Sequence, residues 1–142
     1  MTLVVDASIA VAWCFADEAT PAVDAILDAV VERGAIVPTI WRFEVGNALQ
    51  MAVRRKRITA VFRDTALARL QALSIAVDPD TDANAWTAAL RLAERFALTL
   101  YDASYVELAH RRGLTLATLD GEMRTAARAL GIASLGAPLG GA

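Results

Sequence analysis

The sequence predicts an α/β fold, a three-layer sandwich: a central, mostly parallel sheet with helices on both faces. Three observations lead to it. Short apolar runs alternate with longer segments of helical period along the whole chain. The runs TLVVD, AIVP, SIAV, LTLAT and IAS are continuous, without the polar alternation of a half-exposed strand. The length of 142 residues suits one domain with a substantial core. Residues 1–135 are assigned to that domain, and 136–142, GAPLGGA, to a flexible tail.

Residues 2–5 form the first strand, which ends at Asp6. SIAVAWCFA has helical length and a serine near its start. Pro21 opens the next helix, whose apolar positions 23, 26, 27, 30 and 31 share a face before Gly34 stops it. AIVP is the second strand. IWRFEVGNALQMAVRRKR is a helix with Trp41, Val45, Ala48, Leu49 and Ala52 on one face. A helix at 59–72 leads to the weak strand SIAV, and helices follow at 82–97 and 102–112. LTLAT is a well-marked strand, succeeded by a helix at 121–130 and the weak strand IAS. In an open parallel sheet, ligands gather at the carboxyl ends of the strands. Asp6 and Asp120 both fall at that edge.

Composition narrows the function. Apolar residues make up 56% and charged residues 21%, an excess that calls for a face packed on a partner or a second copy. The longest apolar run, Ile9 to Ala16, is far short of the roughly 18 residues of a membrane span. No basic leader precedes it, so neither a signal peptide nor a membrane role is expected. The lone Cys14 reads as a buried thiol and fits a reducing, cytoplasmic setting. With net charge −2 and pI near 5.3, a broad basic surface for nucleic acid is excluded. Thirteen of the fourteen basic residues are Arg, which disfavours a lysine nucleophile.

Four acids remain to be explained. Asp6 and Asp120 each have a plain reading as helix N-caps. Glu44 and Asp102 do not: Glu44 lies on the stripe of Trp41 and Ala48, and Asp102 on that of Tyr105, Val106 and Ala109. Burying an unpaired carboxylate is costly, and a helix dipole offsets only about 0.3–1 kcal/mol of it. Ion pairs with Arg42, Arg54 or Arg91 are the bland alternative. If all four acids meet, each ionised pair at about 5 Å and an effective dielectric of 20 repels by roughly 3 kcal/mol. Such a cluster takes up protons or binds a cation. Oxygen-only ligands select a hard divalent ion, Mg²⁺ with Mn²⁺ as substitute, over zinc. The ion then supplies the positive charge that the protein lacks, and the chemistry becomes metal-assisted phosphodiester hydrolysis by activated water.

VVDAS (Asp6 with Ser8), FEVGNAL (Glu44 with Asn47), LYDASYVELA (Asp102) and LATLD (Thr118 and Asp120) stand in that order over nearly the whole chain. In this the sequence resembles the PIN-domain ribonucleases, most closely the small VapC-type toxins of bacterial toxin–antitoxin pairs. The resemblance implies a Mg²⁺- or Mn²⁺-dependent endoribonuclease acting on structured RNA such as tRNA or rRNA. It also implies a homodimer, and a small antitoxin lying across the active-site groove. By the same resemblance, Asp6, Glu44, Asp102 and Asp120 would be metal ligands, directly or through water. Ser8 and Thr118 would orient Asp6 and Asp120, and Asn47 would do the same for Glu44. Trp13, Phe15, Trp41 and Phe43 are candidates for the antitoxin groove or a dimer contact, with core packing as the equal alternative.

Other features carry less. DPDTD (Asp78, Asp80, Asp82) opens like a calcium loop, but Ala83 and Ala89 replace the required Gly and Glu, so it reads as a turn with a helix cap. His110 is alone, late in a helix. The run Arg54–Arg57 suits a helix C-terminus and also offers cations to RNA phosphates. Glu122 is a solvated first-turn acid or a fifth, water-bridged one. A receiver-type domain would need paired acids after the first strand and a late lysine. An aspartate-nucleophile phosphatase would need a second acid where Ser8 stands. The substantial rival is a catalytically inactive PIN-like module that binds RNA or a protein partner.

Overall fold

The computed structural model describes residues 2–137; Met1 and residues 138–142, most of the expected tail, lie outside the described residues. The apolar runs become β1 (Leu3–Val5), β2 (Ala35–Val37), β3 (Ile75–Val77), β4 (Leu116–Ala117) and β5 (Ser134–Leu135). They form one sheet in the order β3-β2-β1-β4-β5, with every pairing parallel. The helices are α1 (Ala7–Cys14), α2 (Pro21–Arg33), α3 (Trp41–Arg54), α4 (Ala60–Gln71), α5 (Thr81–Asn84), α6 (Leu90–Phe96), α7 (Leu100–Arg112) and α8 (Gly121–Ala129).

Side chains alternate along a strand, so an all-apolar strand feeds two cores. Val4, Ile36 and Leu116 join the larger one, with Leu49 of α3, Val106 of α7 and Ala126 of α8. Leu3, Val5, Ala35 and Ala117 turn to the other face, which Val23, Ile26 and Val30 of α2 close. The three-layer α/β sandwich is therefore as the sequence predicts. Both weak strands form, at the two edges of the sheet.

The chain leaves β1 toward β2 and β3 on one side and later enters β4 on the other, so the strand order reverses beside β1. At such a switch point the loops after neighbouring strands diverge and open a crevice at the carboxyl edge. β1 ends at Asp6, and β4 runs into Thr118, Leu119 and Asp120.

Several boundaries differ from the sequence reading. The expected helix 102–112 begins at Leu100, because the Thr99 hydroxyl caps it by accepting the Asp102 N–H at 3.1 Å. Asp102 thus sits inside the first turn. The expected helix 82–97 is α5 and α6 joined by a π turn at Ala85–Ala89, and it stops where Ala97 turns left-handed at φ 53°. α1 ends at Cys14, and a 3₁₀ turn at Ala16–Glu18 takes the residues beyond Phe15. Gly136, assigned to the tail, is buried at φ 118°, and a Cβ there would collide with the Thr118 carbonyl. The Asp78 turn forms as expected, yet its carboxylate is fully buried and paired with Arg111 at 2.6 Å. Arg111 also binds Glu107 at 2.8 Å, fastening α7 to the residue that follows β3. Among the described residues, no helix is long and apolar enough to cross a membrane.

Candidate active site

Asp6 leaves β1 and caps α1, its Oδ1 accepting the Ile9 N–H at 3.1 Å. The Ser8 hydroxyl donates to the same oxygen at 2.6 Å, and the Thr118 hydroxyl donates to Oδ2. Both hydroxyls also reach across to the loop after β4. Thr118 Oγ1 accepts the Asp120 N–H at 3.0 Å, and Ser8 Oγ accepts the Leu119 N–H at 3.1 Å. Two side chains therefore tie the ends of β1 and β4 together around one carboxylate that is only 4% exposed. Burial pushes the Asp6 pKa up and the Asp120 charge adds to this, against the lowering effect of the three hydrogen bonds. The Thr118 hydroxyl touches Asp120 only at the Asp120 backbone N–H, whereas Ser8 and Thr118 both hold the carboxylate of Asp6.

Asp120 caps α8, its Oδ1 accepting the N–H groups of Glu122 at 2.8 Å and Met123 at 3.1 Å. The capping readings of Asp6 and Asp120 are thus correct, and they fix these carboxylates at the crevice at the same time. Glu44, half-buried in the first turn of α3, accepts the Tyr105 hydroxyl at Oε1, 2.6 Å away. Tyr105 is 1% exposed, and burial together with the Glu44 contact raises its phenol pKa far above the ordinary value. The sequence placed Tyr105 only on the apolar stripe of α7. A buried phenol needs a partner, and that need was the signal available for finding it.

Burial raises the pKa of Glu44, and the charges of Asp102 and Asp6 raise it further, against the Tyr105 hydrogen bond. Asp102 is raised by burial first, then by the charges of Asp120, Asp6 and Glu122. Acidic charge therefore adds to burial at Asp6, Glu44 and Asp102, Glu122 contributes at Asp102, and none of the three forms an ion pair among the described residues. The ion-pair alternative does not form among the described residues: Arg42 bonds Gln71 at 2.8 Å, Arg54 contacts the Met51 sulfur, and Arg91 makes no ion pair. Asn47 does not support Glu44. It is exposed and makes no side-chain hydrogen bond among the described residues, while Glu44 turns toward α7.

Of the four aromatic candidates, Phe15 and Trp41 belong to the core, and Phe43 is exposed. Trp13 is half-buried beside an apolar groove of about 630 Å³ that Cys14, Val31 and Phe62 also line. Cys14 is half-buried, and burial raises its pKa.

Among the described residues, no three acid, histidine or cysteine side chains converge closely enough to hold an ion by themselves. The donor set still fits Mg²⁺, which binds through one or two carboxylates and completes its shell with water and phosphate oxygens. Glu44 Oε2 and Asp120 Oδ2 accept no hydrogen bond from the described residues and remain available to such an ion or its waters.

Residues 3–129, which contain all four acids, match the PIN domain family. The chain belongs to that family. Its fold resembles the crystal structure of PAE2754 from Pyrobaculum aerophilum, with TM-score 0.63 and 27% identity over 94% of this chain and 90% of that one. FitAcB from Neisseria gonorrhoeae aligns with TM-score 0.65 and 15% identity, covering 95% of this chain and 97% of that one. Mycobacterium tuberculosis VapC20, a toxin that cleaves the sarcin–ricin loop, aligns with TM-score 0.61 and 19% identity, covering 88% and 95%. No curated protein matches the chain.

Proposed function

We propose that this PIN domain is the nuclease toxin of a toxin–antitoxin pair, a cytoplasmic endoribonuclease that hydrolyses phosphodiester bonds in structured RNA with Mg²⁺ or Mn²⁺. The observation that carries the reading is the gathering of acids at the carboxyl edge of the sheet: the Thr118 hydroxyl joins Asp6 to Asp120, and burial first, then neighbouring carboxylate charge, raises the pKa values of Asp6, Glu44 and Asp102. A PIN module freed from catalysis gains nothing from that repulsion. The fold is shared with VapC20, a sarcin–ricin loop cleaving toxin, and the proposed substrate class is in keeping with that likeness.

Asp6, Glu44, Asp102 and Asp120 would hold the ion, directly or through water. When bound, the ion lowers the pKa of water and stabilises charge on the phosphate and the leaving oxygen. The chain's own part is positional. Ser8, Thr118 and the Ile9 N–H fix both oxygens of Asp6. The Tyr105 hydroxyl fixes Oε1 of Glu44, so Oε2 is the oxygen left to accept a proton from the attacking water. Asp120 is held by its cap contacts, with Oδ2 free. A small antitoxin and a second copy of the chain remain the partners of this reading. The groove at Trp13 and the exposed aromatics Trp86 and Tyr101 supply apolar surface for such contacts.

The test is cleavage of total tRNA and rRNA by wild type and Asp102→Asn, in Mn²⁺, Mg²⁺ or chelator. Metal-dependent fragments from wild type alone support the nuclease. RNA binding without cleavage under every condition would favour an inactive PIN-like module instead.

A further inference from the structure

The outward face of α3 carries a polar stripe that its packing does not require. Phe43, Asn47, Gln50 and Arg54 follow at steps of four, three and four residues, which keeps them on one side of a helix, and all four are exposed. Phe43, 77% exposed, lies at the end of the stripe beside Glu44. At the other end Arg54 contacts only the Met51 sulfur, and Arg55 and Lys56 form no side-chain hydrogen bond or ion pair among the described residues. Arg57, by contrast, is committed internally: it bridges Asp17 and Glu18 and lies 3.9 Å from the centre of the Phe15 ring. A chain of net charge −2 thus ends this helix with three exposed, unpaired cations. Ten residues separate Glu44 from Arg54, which is about 15 Å along the helix axis.

Lys56 adds an independent observation. It ends α3 in the left-handed conformation at φ 60°, where glycine is the usual residue because a side chain there is strained. A lysine at that position is unfavourable for the fold, so its side chain is the feature that requires explanation.

We propose that the exposed face of α3 is the path along which the RNA substrate leaves the acidic pocket. Phe43 stacks on an unpaired base next to the cleaved phosphate, Asn47 and the amide N–H₂ of Gln50, whose Oε1 already accepts the Arg63 guanidinium at 2.6 Å, offer hydrogen bonds to bases or ribose, and Arg54, Arg55 and Lys56 hold phosphates. Aromatic, amide and cation in succession match a polymer that repeats flat bases and anions. The inference rests on the ribonuclease reading above, and it makes a single-stranded segment beside the cut a requirement of the substrate.

The experiment measures binding of fluorescein-labelled oligouridine by anisotropy across a salt series, in the Asp102→Asn background so that no cleavage intervenes. Replacing Arg54, Arg55 and Lys56 together (R54A, R55A, K56G) should weaken binding about 50-fold at 0.1 M salt and lower the log–log salt slope by about 2. Lys56→Gly alone should lower the slope by about 0.7 and yet raise Tm by about 3 °C. A purely structural lysine would not move the slope. Phe43→Ala should weaken binding about 10-fold, with Phe43→Trp restoring it. An unchanged slope in the triple variant overturns the proposal, as does a change of oligomeric mass on substitution of Phe43 with RNA affinity unchanged. Metal-dependent cleavage by wild type alongside an unchanged slope would defeat this path alone. Normal binding through the stripe with no cleavage by wild type would defeat the nuclease reading alone.

Discussion

Replacing Thr118 by Val changes almost nothing in shape and removes two hydrogen bonds from a site with no solvent access. The Thr118 hydroxyl donates to Asp6 Oδ2 and accepts the Asp120 N–H at 3.0 Å, and the residue is 0% exposed. Loss of a hydrogen bond to a charged group costs about 1.5–3 kcal/mol, and a neutral one about 1. Asp6 keeps Ser8 and the Ile9 N–H, which places the total near 2.5 kcal/mol rather than at the sum of the upper limits. With an unfolding entropy of about 2.1 cal/mol/K per residue, that corresponds to a fall in Tm of about 8 °C. Asp6 and Asp120 also lose their common anchor, and cleavage should fall by about 10–100-fold, the range for removal of a partner that orients a metal ligand. Differential scanning calorimetry in chelator gives the first quantity, and initial rates in Mn²⁺ give the second. A Thr118→Val protein within about 2 °C of wild type and equally active would refute the view that this hydroxyl organises the pocket.

Other predictions follow from the same contacts. Arg111→Met leaves Asp78 and Glu107 buried without their cation and should cost about 3–5 kcal/mol in urea unfolding at neutral pH. Burial opposes ionisation of Asp78, but the hydrogen bonds from Arg111, Thr81 and the Asp80 N–H, with the Arg111 charge, hold its pKa below the ordinary carboxylate value. Its contribution is therefore complete above that value and is lost only as pH falls through the lower folded one. Asp6, Glu44 and Asp102 have the opposite sign. Their raised pKa values favour the protonated folded state, so in chelator stability should increase as pH falls from neutral through those folded values, until the ordinary carboxylate range is reached. A melting series in that window that is flat for wild type would contradict the cluster. Asp102→Asn should melt at a higher temperature than wild type in chelator and be inactive in metal; an unchanged or lower melting temperature would count against mutual repulsion.

The fold was legible because its three central strands are buried on both faces: Leu3 to Val5 and Ala35 to Val37 are apolar at every position, and each position serves one of two cores. Helix starts were less so. The Thr99 hydroxyl caps α7 and draws its start back to Leu100, two residues ahead of the expected 102. The acids at the switch point could be found from their place after strands or on apolar stripes. Their partners were harder. Tyr105 reaches Glu44 across 61 residues, and Arg111 reaches Asp78 across 33, separations that only the assembled sheet closes. Asn47 shows the limit of periodicity. Spacing makes it a neighbour of Glu44, but three helical steps fall about 60° short of a full turn, enough to leave it on the solvent side while Glu44 turns inward.

The most direct measurement is Mn²⁺ binding followed by electron paramagnetic resonance, because it reads the pocket without assuming a substrate. Wild type should take up Mn²⁺ saturably, Asp6→Asn and Asp102→Asn should each lose most of that binding, and Mg²⁺ should compete. Wild-type protein that leaves Mn²⁺ free in solution, or variants that bind it as well as wild type does, would contradict the claim that these four carboxylates form one metal site.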